Sequence, residues 1–212
     1  MSKPKVFVVG WNRQIEAMFY QAGWEIVSRP YEADLVQFTG GEDVSPSFYD
    51  EEPHPNTYSA IGRDREEKKL YKTVKLLDLP TAGICRGGQF LNVMNGGKMY
   101  QHVDNHGIGG THPMFDTRDG TEIDTTSTHH QMMRPGEGAK IVATAGYMTT
   151  YREHMAGDSI VKGSLEDEDM EVLYYDDTKT LCHQGHPEFM KSDHESVTYY
   201  FDLINEFFGL EG

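Results

Sequence analysis

Cys85 stands in Gly83-Ile84-Cys85-Arg86-Gly87, after the apolar run Thr81 to Ile84 and before a stretch with the apolar spacing of a helix. This Gly-x-nucleophile-x-Gly form is the signature of a nucleophile elbow. Small neighbours are required there because the nucleophile rides a sharp, strained turn whose backbone packs against adjacent strands. The turn also brings sulfur to a helix N-terminus, where partial positive charge favours thiolate over thiol. A lone cysteine is more often an inert buried thiol; the flanking glycines and the strand-helix setting favour the chemical reading.

A thiolate needs a general base and a group that orients that base. With ten histidines in the chain, a histidine by itself discriminates nothing. His186-Pro187-Glu188 is distinctive because it follows the strand-like segment Leu181 to Gln184. A carboxylate two positions beyond an imidazole can point to the same side of extended chain. Alone, the tripeptide reads equally as a charged surface turn; beside the elbow it reads as base and orienter. Thr39-Gly40-Gly41-Glu42-Asp43-Val44-Ser45-Pro46 adds a third piece. It closes a predicted parallel strand, at the sheet edge where open α/β folds bind ligands. Adjacent glycines there let backbone N–H groups approach a developing oxyanion.

The elements that must position these groups follow from periodicity. Strands are predicted at Val6 to Val9, Trp24 to Val27, Ala33 to Phe38 and Thr81 to Ile84, and helices at Ile15 to Ala22, Arg65 to Leu77 and from Gln89 onward. Strand, sharp turn and helix in succession is the unit of a parallel α/β sheet. Residues 102 to 137, rich in His, Asp, Thr and Gly, read as loops with short strands. Lys140 to Thr144, Glu171 to Tyr175 and Thr180 to His183 read as strands of a later, antiparallel segment, and Ser192 to Phe208 as a closing helix. No repeat, low-complexity tract or long linker divides the chain, so residues 1–212 are expected to form one domain.

The 37% hydrophobic content is that of a globular protein. The net charge of −15 repels phosphate backbones and anionic bilayers, which excludes nucleic acid and membrane as expected partners. No stretch approaches the ~20 apolar residues of a membrane helix, and the run ending at Gly10 is too short for a signal-peptide core. A cytoplasmic location is expected, with Cys85 and Cys182 both free thiols.

Further motifs accompany the elbow: Gly88-Gln89, Leu91-Asn92-Val93, Gly96-Gly97 and Tyr100-Gln101; Phe48-Tyr49; Arg63-Asp64 with Glu67; Ser127-Thr128-His129-His130-Gln131; and Gln184-Gly185-His186-Pro187-Glu188. Together with Gly40-Gly41-Glu42-Asp43-Val44-Ser45-Pro46, and taken in chain order from residue 39 to 188, they resemble class I glutamine amidotransferase-like proteins, and most nearly the γ-glutamyl hydrolase branch of the peptidase C26 type, which includes γ-glutamyl-γ-aminobutyrate hydrolases. The resemblance implies a flavodoxin-like three-layer α/β sandwich with a mostly parallel central sheet, the class I glutamine amidotransferase fold. It implies a catalytic triad of Cys85, His186 and Glu188, an oxyanion hole near Gly41 and Arg86, and glutamyl-binding contacts from Gly40, Gln89, Ser127, Thr128 and His129. The implied reaction is hydrolysis of a γ-glutamyl amide through a glutamyl thioester. Where that branch usually carries a bulky residue before the histidine, this chain has Gly185, which suggests a looser hold on the imidazole.

Two other functions stay open at this stage. The same triad could release ammonia from glutamine for a synthetase subunit acting in trans, or the fold could serve a catalytically silent binding protein. The expected partner is a small γ-glutamyl molecule, and the sequence allows a homodimer. His102, Asp104, His106, His112 and Asp116 crowd one short segment with ligand types suited to zinc or iron. Their spacing fits no helix face and the resemblance implies no metal or cofactor, so none is expected. Cys182, Tyr199, Tyr200 and Phe201 read as packing residues.

Overall fold

The computed structural model describes residues 3–212. Its strands and helices run β1 (Lys5–Val8), α1 (Arg13–Gln21), β2 (Glu25–Ile26), β3 (Leu35–Phe38), α2 (Ile61–Leu76), β4 (Thr81–Ile84), α3 (Arg86–Met94), β5 (Lys98–Tyr100), β6 (His102–Val103), β7 (Gly110–Asp116), β8 (Glu122–Ser127) and β9 (Met132–Arg134). They continue through β10 (Ala139–Thr144), β11 (Arg152–Ala156), β12 (Ser159–Lys162), β13 (Met170–Tyr175), β14 (Thr180–His183) and α4 (Glu195–Phe208). Nine strands form the main sheet, in the order β2-β1-β3-β4-β14-β13-β10-β7-β8.

The sheet changes character at β14. From β2 to β14 every pairing is parallel; β13, β10, β7 and β8 then follow in antiparallel pairs. The central strands are buried on both faces, and alternate residues serve opposite cores. Leu35, Ile84 and Leu181 face α1 and α4, where Phe19, Trp24, Tyr200 and Ile204 pack; Val36, Phe38 and Cys182 face α2 and α3, where Tyr71, Val74, Phe90 and Leu91 pack. This two-residue alternation between two helical layers produces the three-layer sandwich.

Local chemistry fixes the helix ends. The Asn12 side chain accepts hydrogen bonds from the amides of Gln14 and Ile15 at the start of α1, and Gly209 closes α4 in the left-handed region. Helix α2 begins at Ile61, earlier than its apolar spacing suggests, because Arg63, Asp64 and Glu67 on its first turns bond inward to the neighbouring loop and to Arg86. The segment read as mostly loop contains the seven-residue β7 and six-residue β8, both in the main sheet. The hairpin β11–β12 corresponds to no predicted element. Among the described residues no helix is long and apolar enough to cross a membrane.

Candidate active site

Strand β4 lies between β3 and β14 in parallel register, and Cys85 follows it directly. The cysteine takes φ 52° and ψ −116°, a conformation rarely adopted by a side-chain-bearing residue. Its amide donates to the Cys85-facing carbonyl of His183 at 2.7 Å, tying the bend to β14. The glycines explain how the strain is tolerated. A Cβ on Gly83 would lie 2.4 Å from the Gly87 carbonyl carbon, one on Gly87 would lie 2.6 Å from that of Phe38, and one on Gly88 would lie 2.9 Å from the His183 nitrogen. Helix α3 therefore meets three strands backbone to backbone, and only residues without a Cβ permit that approach.

His186 follows β14 at the same edge. Its amide donates to Thr126 Oγ1 at 2.6 Å, its Nδ1 pairs with Glu188 Oε1 at 2.7 Å, and its ring stacks on Phe189 with centroids 4.3 Å apart. Glu188 sits in the short 3-10 turn Pro187–Phe189. Burial disfavours the charged imidazole, but hydrogen bonds to Cys85 and Glu188 outweigh it, and the His186 pKa is pushed up to about 10. The looser hold suggested by Gly185 is not what the fold provides. Thr125 occupies the space instead, with its Oγ1 2.1 Å from where a Gly185 Cβ would be. Glu188 and Phe189 hold the imidazole, and Thr126 holds its backbone, without that side chain.

The Thr39 to Gly41 loop is clamped from α2. Arg63 donates to the carbonyls of Thr39 and Gly40, each at 3.1 Å, and to Glu67 at 2.7 Å. Gly41 has φ 146°, and a Cβ there would collide with the Arg63 guanidinium. Asp64 accepts from the Ser45 amide at 2.9 Å and, with Glu67, from the buried guanidinium of Arg86. The Arg-Asp-x-x-Glu stretch thus links the glycine loop to the first residue of α3.

Cys85, Gly41, Arg86, Gln89, Thr128 and His129 line one cavity of about 170 Å³. Gly40 lies just behind it: a Cβ there would be 2.9 Å from His186 Cε1 and 3.8 Å from Cys85 Cβ, which places cysteine and imidazole together against one face of that glycine. The Arg86 amide opens α3, and first-turn amides have no partner inside their own helix. Ser127 is placed differently from the other expected contacts. It is fully buried, and its hydroxyl donates to the His106 carbonyl at 2.8 Å.

Sequence reasoning gave no site role to Gln184, His130 or Asp43. Gln184 Nε2 reaches Cys85 Sγ at 3.7 Å, and its Oε1 accepts from Gln89 Nε2 at 3.1 Å. Its position in the Gln-x-His-Pro-Glu stretch was the available signal. His130 and Asp43, also at the cavity, pair at 3.2 Å; this hydrogen bond raises the imidazole pKa. Of the crowded polar segment, His106 and His112 come together with His129, whereas His102 bonds Tyr151, Asp104 bonds Thr150 and Asp116 bonds Arg118. Cys182 lies in the α2/α3 core, as expected of a packing residue.

Residues 31–188 match the model of a protein family described as Peptidase C26. A Mycobacterium tuberculosis protein named "Putative glutamine amidotransferase" is 36% identical over 124 residues, which are 50% of this chain and 40% of that one. The carbamoyl phosphate synthase small chain of Polynucleobacter asymbioticus is 25% identical over 97% of this chain and 47% of its own. The chain therefore spans less than half the length of either relative. A glutamine amidotransferase crystal structure from Thermotoga maritima superposes with a TM-score of 0.60, at 18% identity, over 97% of this chain and 86% of that one. The fold is that of the class I glutamine amidotransferases.

Proposed function

The chain belongs to the Peptidase C26 family, and on that premise we propose that it hydrolyses a γ-glutamyl amide, with Cys85 as nucleophile, His186 as general base and acid, and Glu188 as the orienting carboxylate. The observation that carries this reading is the meeting, around Gly40 and beside one cavity, of a cysteine on a strained elbow and an imidazole tethered to a carboxylate. The Cys85 sulfur bonds to the γ-carbonyl carbon while the thiol proton resides on His186. The carbon–nitrogen bond then breaks, its electron pair leaves on nitrogen, and His186 protonates the departing amine. Water attacks the thioester, gives a proton to His186, and releases glutamate as the thiol re-forms. The raised pKa of His186 supports this division of labour, because a more basic imidazole is the better acceptor for the thiol proton.

The amides of Gly41 and Arg86 form the oxyanion hole in this reading, each contributing roughly 2.7–4 kcal/mol to the transition state. Gly40, Gln89, Thr128 and the backbone of Ser127 and His129 hold the two ends of the glutamyl group, for which a cavity of about 170 Å³ is of suitable size. Residues 1–212 act as one catalytic domain. The test is glutamate release from glutamine and from a panel of γ-glutamyl-amine conjugates, together with labelling by a glutamine-mimicking chloroketone. Turnover with label confined to Cys85 is the expected result. Equal labelling of Cys85 and Cys182 would refute the nucleophile assignment.

A second reading is a glutaminase subunit that hands ammonia to a synthetase in trans. The likeness to a carbamoyl phosphate synthase small chain over nearly the whole chain supports it. A stand-alone hydrolase turns over conjugates unaided, whereas a subunit is sluggish with glutamine until its synthetase is added.

A further inference from the structure

Behind the cavity wall, on the antiparallel side of the sheet, three imidazoles and a carboxylate converge. They belong to His106, His112 on β7, His129 and Glu171 on β13, and one ligand atom from each lies within 4.8 Å of all the others. All four residues are at most 4% exposed. Glu171 Oε1 stands 3.5 Å from His106 Nδ1, 3.5 Å from His112 Nε2 and 3.6 Å from His129 Nε2. None of these three nitrogens, and neither Glu171 oxygen, has a hydrogen-bond partner among the described residues.

The far side of each ring is occupied. His106 Nε2 meets Asp169 Oδ2 at 3.0 Å, His112 Nδ1 meets the Pro113 carbonyl at 2.9 Å, and His129 Nδ1 meets the Gln131 carbonyl at 2.8 Å. Those oxygens are acceptors, so each outer nitrogen carries the ring proton and, in a neutral imidazole, the inner nitrogen presents a lone pair. Asp169 is itself anchored by Arg152 at 2.7 Å and by the amides of Met148 and Thr149. Three lone pairs and a carboxylate aimed at one buried point repel one another unless a cation lies between them. Ring nitrogens fixed from behind by carboxylate and carbonyl acceptors are the usual outer shell of metal-bound histidines.

We propose that His106, His112, His129 and Glu171 form a closed structural site for a divalent cation of the zinc class. Tetrahedral zinc with ligands at about 2.0–2.1 Å has ligand-to-ligand edges of about 3.4 Å, near the three distances to Glu171 Oε1. Three imidazoles with one carboxylate favour zinc over the oxygen-seeking magnesium and calcium. Four protein ligands leave no open position, which assigns the ion to architecture rather than to chemistry. It would fasten both ends of the β7–β8 hairpin to β13: His106 precedes the hairpin, His129 follows it, and the Glu171 carbonyl accepts the Gln184 amide at 2.8 Å. The Thr128 to Gln131 wall of the cavity would be held by the same ion. The proposal does not depend on the assignment of Cys85.

The experiment uses tag-free Cys85→Ser protein, which removes the other thiol–imidazole pair able to take zinc. Metal content is measured by mass spectrometry as purified, and chelator-stripped protein is then titrated with cobalt(II) and zinc. The expected results are one equivalent of bound metal, an intense tetrahedral cobalt spectrum without a thiolate charge-transfer band, and a higher Tm with zinc. His112→Gln and Glu171→Gln should each lose the equivalent. Should a variant fail to fold, the cobalt spectrum of the parent protein decides. Failure to take up either ion at micromolar free metal would mean a histidine–carboxylate hydrogen-bonded cluster only, and would overturn the proposal. Retention of the full equivalent by folded His112→Gln and Glu171→Gln proteins would overturn it equally.

Discussion

The two cysteines are near neighbours in the sheet, yet their surroundings differ in kind. Cys182 pairs in register with Gly83, two residues before Cys85. Both thiols are buried, so burial does not distinguish them. Cys182 lies within a regular strand and points into the α2/α3 core, where desolvation pushes its thiol pKa well up despite the charge of Lys75. Cys85 lies just beyond a strand end, at positive φ, beside a cavity and within reach of His186. A displacement of a few residues along the sheet separates a packing atom from a candidate nucleophile. The backbone bend makes that difference, since it sets the Cys85 side chain at a cavity wall and against a base rather than within a regular strand.

The largest effect should come from exchanging each sulfur for oxygen. Cys85→Ser is expected to lower glutamate release by about 10³-fold or more. Cys182→Ser should leave release per folded molecule unchanged while costing about 1–3 kcal/mol of stability for a buried hydroxyl. Similar activity losses in both variants would dissolve the contrast. Glu188→Gln keeps the shape but alters how the imidazole is oriented and charged, so kcat should fall roughly 10²–10⁴-fold with little change in KM.

A smaller effect concerns pH. The folded pKa of His186, at about 10, lies above the value of about 6.5 expected in the unfolded chain. Its stabilising contribution is therefore complete below about pH 6.5 and disappears as pH rises through about 10. The Tm difference between wild type and His186→Asn should drift against wild type across that window, and the drift should shrink in a Cys85→Ser background. A gap that stays constant with pH would remove the thiol–imidazole coupling from the account. The smallest effects test the elbow's packing. Gly83→Ala forces backbone against backbone and should cost about 1–3 kcal/mol, a Tm loss of several degrees. Gly62→Ala, whose Cβ meets nothing within 4 Å on α2, should be neutral or stabilising by up to about 1 kcal/mol.

The parallel half of the fold was legible because its strands are continuous apolar runs closed by glycine, and the elbow is a contiguous motif. The antiparallel half was legible only in part: Lys140 to Thr144 and Glu171 to Tyr175 read as strands and are β10 and β13, whereas the full lengths of β7 and β8 were hidden. In β7, His112 and Asp116 are buried beside Met114, and in β8 Thr125 and Ser127 are buried beside Ile123, so polar residues at inward positions erased the apolar alternation. The candidate site was legible where one segment supplies the chemistry, as in His186 and Glu188. The His106–His112–His129 cluster was only half visible, because its carboxylate, Glu171, comes from a strand some forty residues away in sequence beyond His129. Arg86 shows the same limit. Its position in the elbow suggested a backbone role, while its guanidinium turned out to tie α3 to Asp64 and Glu67 on α2.

Gly40 carries no reactive group, yet the space beside its Cα is bounded by both the imidazole of His186 and the Cβ of Cys85. A single added methyl group there would act as a wedge, prising the proton carrier away from its thiol while every ionisable atom stayed in place. Gly40→Ala is therefore the variant with which to capture an intact, uncleaved ligand, since the machinery would be silenced by shape and its chemical complement left whole.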